Sequence, residues 1–435
     1  VTTTATPLDH VTPYDRCAWS DIEIEAWLAS GAHRAELGAY FGAAEYRVLA
    51  ALARKAAAAR ISQPLRVVVV PGIMGSQLGL LRSAPLPHDI LWLDPLDIQL
   101  GRLAALRLPG PAPVAPLGVV LFSYLRLKLF LRARGFAVEL HDYDWRLPIA
   151  AAGAQLAERL RAARPARLAL VAHSMGGLVS RAALALPDTA HVERLVLLGT
   201  PNHGSFAALQ ALRGTYAVVR KVARLVSAAS AESLAADIFS TFPSLYELLP
   251  WGRGAGGVQL FDAAAWPRSG PQPQPQLLQA ARALRAQLAP ADARCSAVIG
   301  VGAETVTAAR RRADDFVYAL TRLGDGTVPA ASAELAGARG YYARVAHSEL
   351  TRDAQVAAAV VDLLARGATA RLPDRWNSAS RARAEVSDRA LRRTHTAKVD
   401  WTALTPDARR VFLETLNEPP HLKLRVPAAL RRARR

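Results

Sequence analysis

The segment Leu168-Ala169-Leu170-Val171-Ala172-His173-Ser174-Met175-Gly176-Gly177 constrains the fold more than any other stretch of the chain. Its apolar half is short and does not alternate with polar residues, so it reads as a strand buried on both faces. It runs without a loop into a helical pattern over 175–186. Such a passage needs a sharp turn with small neighbours. Ala172 and Gly176 leave room for a serine held at strained backbone angles and pushed out above a sheet. A helix beginning at Met175 also presents unpaired N–H groups and a positive dipole end at the same place. Ser174 is therefore the candidate nucleophile and the Met175 N–H a candidate oxyanion donor. A serine that only caps an ordinary strand-to-helix turn is the alternative, and Ala172 stands where a glycine is more usual.

The rest of the chain supplies the sheet that such a turn requires. Short β-branched or apolar runs at Leu65–Val70, Phe136–Leu140, Arg167–Ala172, Arg194–Leu198, Ala297–Val301, Phe316–Leu320 and Tyr341–Val345 read as strands. Helical patterns fall near 121–134, over 175–186 and at Asp353–Leu364. Strands alternating with helices predict an α/β fold with a mostly parallel central sheet covered on both faces, here the α/β-hydrolase arrangement. Residues 1–64 form an N-terminal extension with helical patterning over 20–60, and 65–370 form the catalytic domain. Long insertions at about 76–120 and 205–290 read as a cap or lid, and 371–435 as a basic C-terminal extension.

A serine is a weak nucleophile, so a base and an orienting acid must follow it, acid first in this fold. Asp325, in Gly324-Asp325-Gly326-Thr327-Val328-Pro329, follows the strand at 316–320, and His347 follows the last strand. Asp325 taken alone is more often a turn residue, and its place after the penultimate strand reverses that reading. His173 reads as packing, His141 as the end of a strand and His203 as a loop residue. Val70-Pro71-Gly72-Ile73-Met74-Gly75-Ser76 follows the first strand, where a second oxyanion donor belongs, and Ile73 is the candidate; a plain turn is the alternative. Asp144 and Arg146 are expected to pair below the site. No metal-ligand spacing and no phosphate-cradling loop occurs, so neither metal nor cofactor enters the reading.

Pro71-Gly72-Ile73-Met74-Gly75-Ser76, Tyr143-Asp144-Trp145-Arg146, Ala172–Gly177, Gly199-Thr200-Pro201-Asn202-His203-Gly204-Ser205, Gly324–Pro329 and His347 together resemble the lecithin:cholesterol acyltransferase-like family of lipases and phospholipid acyltransferases. The resemblance spans roughly 65–365, in that family's order. It implies a capped hydrolase that cleaves lipid acyl esters through an acyl-serine, passing the acyl group to water or an alcohol, with a lid near 205–290 and Trp92 at an acyl site. The short cysteine-closed loop of the animal enzymes is not evident, and Ile73 replaces a polar residue of some relatives. A small-ester esterase, or a silent membrane-binding scaffold of the same fold, are the rival readings.

Charge bears on partners. Over 435 residues, 54 Lys+Arg face 36 Asp+Glu, a net of +18, and residues 371–435 alone hold 16 against 7. No nucleic-acid module accompanies this charge, so no specific nucleic acid is expected. Residues 206–226 set on one helix place Leu209, Leu212, Tyr216, Val219, Ala223 and Val226 on one face beside Arg213, Arg220, Lys221 and Arg224. That pattern suits contact with an anionic membrane, with Leu209 and Tyr216 as substrate-side cap residues; a core-packing helix is the alternative. Cys17 and Cys295 form no local motif, Val1–His10 is polar, and no apolar run reaches ~18 residues. The reading is a cytoplasmic or peripheral membrane protein.

Overall fold

In the computed structural model, residues 20–414 are described apart from 83–87, 165, 227, 256, 377–383 and 394–396. The Val1–His10 segment, Cys17 and the arginines near 431–435 lie outside the described residues.

Twelve strands occur among the described residues: β1 (Arg66–Val70), β2 (Ser76–Leu80), β3 (Asp89–Trp92), β4 (Ala115–Val119), β5 (Ala137–Leu140), β6 (Leu168–His173), β7 (Val192–Leu198), β8 (Cys295–Gly300), β9 (Thr305–Arg312), β10 (Asp315–Thr321), β11 (Arg339–Ala343) and β12 (Ala384–Ser387). Six of them make one sheet in the order β11-β8-β7-β6-β1-β5, with every neighbouring pair parallel. In β1, Val68 and Val70 enter one core while Val67 and Val69 enter the other; Leu170 and Ala172 of β6 alternate with Ala169 and Val171 in the same way. Both faces are therefore buried, which is why these strands read as unbroken apolar runs. Helices Ile149–Ala162 and Met175–Leu184 cover one face, and Leu121–Arg132 and Ala354–Arg366 the other.

The chain leaves β1 toward one side of the sheet and β6 toward the other. Between them lies the point where an open parallel sheet parts its connections and leaves a crevice at the carboxyl ends of its strands. The N-terminal helices Asp21–Ser30, Arg34–Phe41 and Ala43–Ala58 form a separate apolar cluster around Leu125 and Leu129 of the Leu121–Arg132 helix.

Two expectations are corrected, the sheet to which the strand at Phe316–Leu320 belongs and the single helix over 206–226. The strand at Phe316–Leu320 does not join the parallel sheet: β10 is the centre of an antiparallel β12-β10-β9 sheet. The β9–β10 hairpin thus intervenes between β8 and the Asp325 loop, and apolar content alone could not tell a hairpin strand from a sheet strand. The insertion over 76–120 carries its own antiparallel sheet, β3-β2-β4. Residues 206–226 are two helices, Phe206–Leu212 and Ala217–Leu225, broken at Gly214. The apolar stripe expected at a membrane, Leu209, Leu212, Val219, Ala223 and Val226, is buried, so it packs inward.

Arg213 is likewise no surface cation. It is fully buried, its Nε donates to Asp388 Oδ2 at 2.7 Å, and its Nη1 donates to the Pro271 carbonyl at 2.6 Å. The described part of the C-terminal segment is integral to the fold: β12 pairs with β10, and Lys398 Nζ donates to the carbonyls of Ala223, Val226 and Ala229 at 2.9, 2.6 and 2.6 Å. No helix among the described residues is long and apolar enough to cross a membrane.

Candidate active site

Ser174 follows β6 at φ 53° and ψ −127°, in the left-handed half of backbone space that a non-glycine residue enters only at a cost. The turn is possible because its neighbours are small. A Cβ on Gly176 would stand 2.4 Å from the Pro71 carbonyl oxygen, and one on Gly72 would stand 2.8 Å from Ser174 Cβ. The strain is held by packing in the sheet core and by the Ser174 N–H, which donates to the Leu198 carbonyl at 2.9 Å.

His347, on the short turn after β11, brings Nε2 to 2.9 Å from Ser174 Oγ and Nδ1 to 2.7 Å from Asp325 Oδ2. With the carboxylate able only to accept, Nδ1 carries the proton and Nε2 accepts from the Ser174 hydroxyl. Asp325 is almost wholly buried. Its Oδ1 accepts the N–H groups of Thr327 and Val328 at 2.9 and 2.7 Å, and the His347 N–H donates to the Asp325 carbonyl at 2.9 Å. The acid is thereby fixed from two sides and the base is fixed to the acid. Ser174 and His347, 173 residues apart, meet because β6 and β11 end at the same side of one parallel sheet, and Asp325 lies 22 residues before His347.

The Met175 N–H is the first of its helix, and the Ile73 N–H sits in the loop after β1; among the described residues neither donates to a protein acceptor. Ile73 borders the same cavity as Ser174 and His347, and Met175 directly follows Ser174. That cavity, ≈ 110 Å³, is walled by Trp145, Tyr216, Val218, Val219, Phe239 and Phe242, an apolar lining able to hold a hydrocarbon chain.

Two residues expected at the substrate do not reach the cavity. Leu209 is fully buried in the core behind its own helix. Trp92 is buried one layer back, where its Nε1 donates to the Met74 carbonyl at 3.1 Å and its ring meets Trp145 edge-on with centroids 5.5 Å apart. Tyr216 does line the cavity, and its hydroxyl lies 3.5 Å from Thr327 Oγ1. The wall residues Phe239 and Phe242 were not singled out in the sequence; their i, i+3 spacing next to a Pro-started turn was the available signal. Trp145 stands within the Tyr143–Arg146 motif, and its Nε1 donates to the Ser76 carbonyl at 3.0 Å.

Asp144 and Arg146 form the expected pair, both buried, with Nη2 to Oδ2 at 2.6 Å and Nε to Oδ1 at 2.9 Å. His173 is buried at the edge of the cavity. Burial, reinforced by the neighbouring His347, pulls its pKa down to about 3, so the ring is neutral. Burial likewise brings His141 down to about 4.

With this geometry established, likeness to known proteins can be stated. The family described as "PGAP1-like alpha/beta domain" matches residues 155–240, the stretch that holds β6, Ser174, β7 and the first helices over the cavity. Among solved structures, the chain is similar to the Bacillus licheniformis lipase BlEst2 in its mature form, at 16% identity over 71% of this chain and 95% of that one, with a TM-score of 0.37. The propeptide form of the same lipase gives 16% identity, 74% and 54% coverage and a TM-score of 0.38. A chain of the Tle4-Tli4 complex gives 14% identity, 71% and 100% coverage and a TM-score of 0.47. No curated protein matches the chain. The sheet order, the strained serine turn and the parallel strands that carry it make this an α/β-hydrolase fold.

Proposed function

We propose that the protein is a serine-dependent lipid acyl hydrolase or acyltransferase. The observation that carries the reading is His347 bridging Ser174 and Asp325 at the mouth of an apolar cavity. In this mechanism His347 Nε2 takes the Ser174 proton as Oγ attacks an ester carbonyl. Asp325 keeps the proton on Nδ1 and stabilises the imidazolium, and the N–H groups of Met175 and Ile73 receive the charge on the carbonyl oxygen. Collapse releases the alcohol, protonated by His347, and leaves an acyl-serine. Water or a second alcohol then gives its proton to His347, attacks the acyl carbonyl and restores Ser174.

The lining supports an acyl chain rather than a polar acyl group. Apart from the serine, the histidines, Tyr124 and the few hydroxyls near the rim, the cavity offers carbon. The six-motif resemblance to the lecithin:cholesterol acyltransferase-like family supports transfer to an alcohol beside hydrolysis. The proposed substrate side is a lipid surface, met peripherally.

The experiment compares wild type with Ser174→Ala on phospholipid, triacylglycerol and nitrophenyl esters of two and twelve carbons, with and without an alcohol acceptor. Turnover lost in Ser174→Ala and favouring the twelve-carbon ester supports the reading, and new ester alongside free acid assigns transfer. Equal turnover by the two proteins overturns it.

A further inference from the structure

Two successive peptide units connect β1 to the oxyanion loop, and three of their four polar groups are held by the protein. The Pro71 carbonyl accepts the Tyr143 hydroxyl at 2.8 Å. The Gly72 N–H, at the other end of the same planar unit, donates to the Tyr124 hydroxyl at 2.9 Å. In the next unit the Gly72 carbonyl accepts the Gly75 N–H at 3.0 Å. In a trans peptide the N–H points opposite to the carbonyl, so fixing the Gly72 carbonyl fixes the direction of the Ile73 N–H. That N–H is the fourth group, and no protein atom among the described residues accepts from it.

The Tyr124 hydroxyl has one proton. Having accepted from Gly72, it donates to His173 Nδ1 at 2.9 Å. His173 Nε2 lies 3.1 Å from the His347 carbonyl, which can only accept, so Nε2 carries the ring proton. The line Gly72 N–H, Tyr124 O–H, His173 and His347 carbonyl is therefore continuous in one direction. It joins the loop that would hold the oxyanion to the residue that would act as base. Both phenols and the imidazole are buried, where a hydrogen bond left unmade costs more than at the surface.

We propose that Tyr124 and Tyr143 clamp the Pro71–Gly72 peptide so that the Ile73 N–H is aimed at the oxyanion, and that His173 ties this clamp to His347. The proposal rests on the reading of Ser174 as nucleophile. Tyr124, Tyr143 and His173 are positioning residues: their polar atoms are engaged by the loop and by each other, and they act on the reaction through Ile73 and His347. The loop's glycines follow from the same arrangement, since a Cβ on Gly75 would meet the Tyr124 hydroxyl at 2.9 Å.

The test uses the full chain with Tyr124→Phe, Tyr143→Phe, the double variant, His173→Gln, His173→Leu and Ser174→Ala. Active enzyme is counted by a fluorophosphonate that labels Ser174, and the readouts are kcat, KM and the affinity of an alkyl boronic acid that mimics the tetrahedral state. Tyr124→Phe is expected to lower kcat roughly tenfold or more with KM unchanged, and to weaken the boronic acid by the same factor, because only transition-state charge uses the aimed N–H. The double variant is expected to lose less than the product of the single losses, since both phenols hold one peptide. His173→Gln, which keeps one donor and one acceptor, is expected to retain more activity than His173→Leu. Wild-type kcat in Tyr124→Phe, or multiplicative losses, overturns the clamp. If Tyr143→Phe does not fold, Tyr124→Phe decides alone. Activity in Ser174→Ala would overturn the nucleophile reading; an inactive Ser174→Ala beside an unimpaired Tyr124→Phe overturns the clamp only.

Discussion

A Cβ added to Gly72 would lie 2.8 Å from the Cβ of Ser174. The two residues sit at the ends of adjacent parallel strands, and the distance leaves no space for a side chain between nucleophile and oxyanion loop. Gly72→Ala must therefore push the loop away from the serine. It is expected to lower kcat on a nitrophenyl ester roughly 10²-fold with little change in melting temperature, because the loss falls on transition-state stabilisation. Steady-state kinetics beside thermal melts check this.

Asp325→Asn keeps the shape of the acid but removes its charge, and an amide nitrogen turned toward Nδ1 would favour the wrong tautomer of His347. A loss of about 10³–10⁴-fold in kcat is expected, with KM nearly unchanged. Asn at 325 with kcat within tenfold of wild type would count against Asp325 as the orienting acid.

Val219 is buried and lines the cavity from the helix Ala217–Leu225. Val219→Phe fills space that the acyl chain would take. The ratio of kcat/KM for a twelve-carbon over a two-carbon ester is expected to fall at least about tenfold, in line with the 1–3 kcal/mol each methylene is worth in an apolar pocket. An unchanged ratio would move the acyl chain elsewhere.

Burial pushes the Glu247 carboxyl up to about 7 from 4.5, although it accepts the Ile149 N–H at 2.6 Å. A carboxyl whose folded pKa is raised binds protons more tightly in the folded state. Its contribution to stability is thus complete below about 4.5 and is lost as the pH rises through 7. Relative to Glu247→Gln, wild type is expected to lose on the order of 3 kcal/mol between pH 4.5 and 8. Denaturant midpoints of the two proteins across that range, taken as a difference, check the sign.

Arg213 and Asp388 are both fully buried. Arg213→Met takes from the buried Asp388 carboxylate its closest cation and leaves the Ser269 and Pro271 carbonyls without their donor, while the Pro267 carbonyl keeps Gln272 Nε2. A loss of about 3–5 kcal/mol is expected, and the double variant Arg213→Met with Asp388→Leu is expected to recover part of it. Urea unfolding of the three proteins measures this.

The central strands β1, β6, β7 and β8 were legible because they are largely buried on both faces and read as apolar runs, and the edge strands β5 and β11 from their short apolar cores. So was the serine turn, whose small residues and immediate helix have one geometric use. The positions of Asp325 and His347 followed from chain order. What stayed hidden depends on partners distant in sequence. Nothing in Asp315–Thr321 announces that its neighbours are Thr305–Arg312 and Ala384–Ser387 rather than a parallel strand. Trp92 was placed at the substrate on the strength of resemblance, and Trp145, one layer closer, takes that place instead. Arg213 has the sequence signature of a solvated cation, and its burial is made tolerable by Asp388, 175 residues later, and by carbonyls of 267–271. Tyr124 carries no signal of its own in the sequence, since a phenol's use is set by what its oxygen meets.

The separation of Arg213 from Asp388 also sets a clock. At synthesis rates of about 5–20 residues per second, Arg213 emerges roughly ten to thirty-five seconds before the carboxylate that neutralises it. β10 must likewise wait for β12 after the nucleophile's turn and the first cavity helices have been made. The nascent chain therefore holds its serine well before it can bury its arginine, and the helix Ala217–Leu225 gains the Lys398 ammonium on its last carbonyls later still.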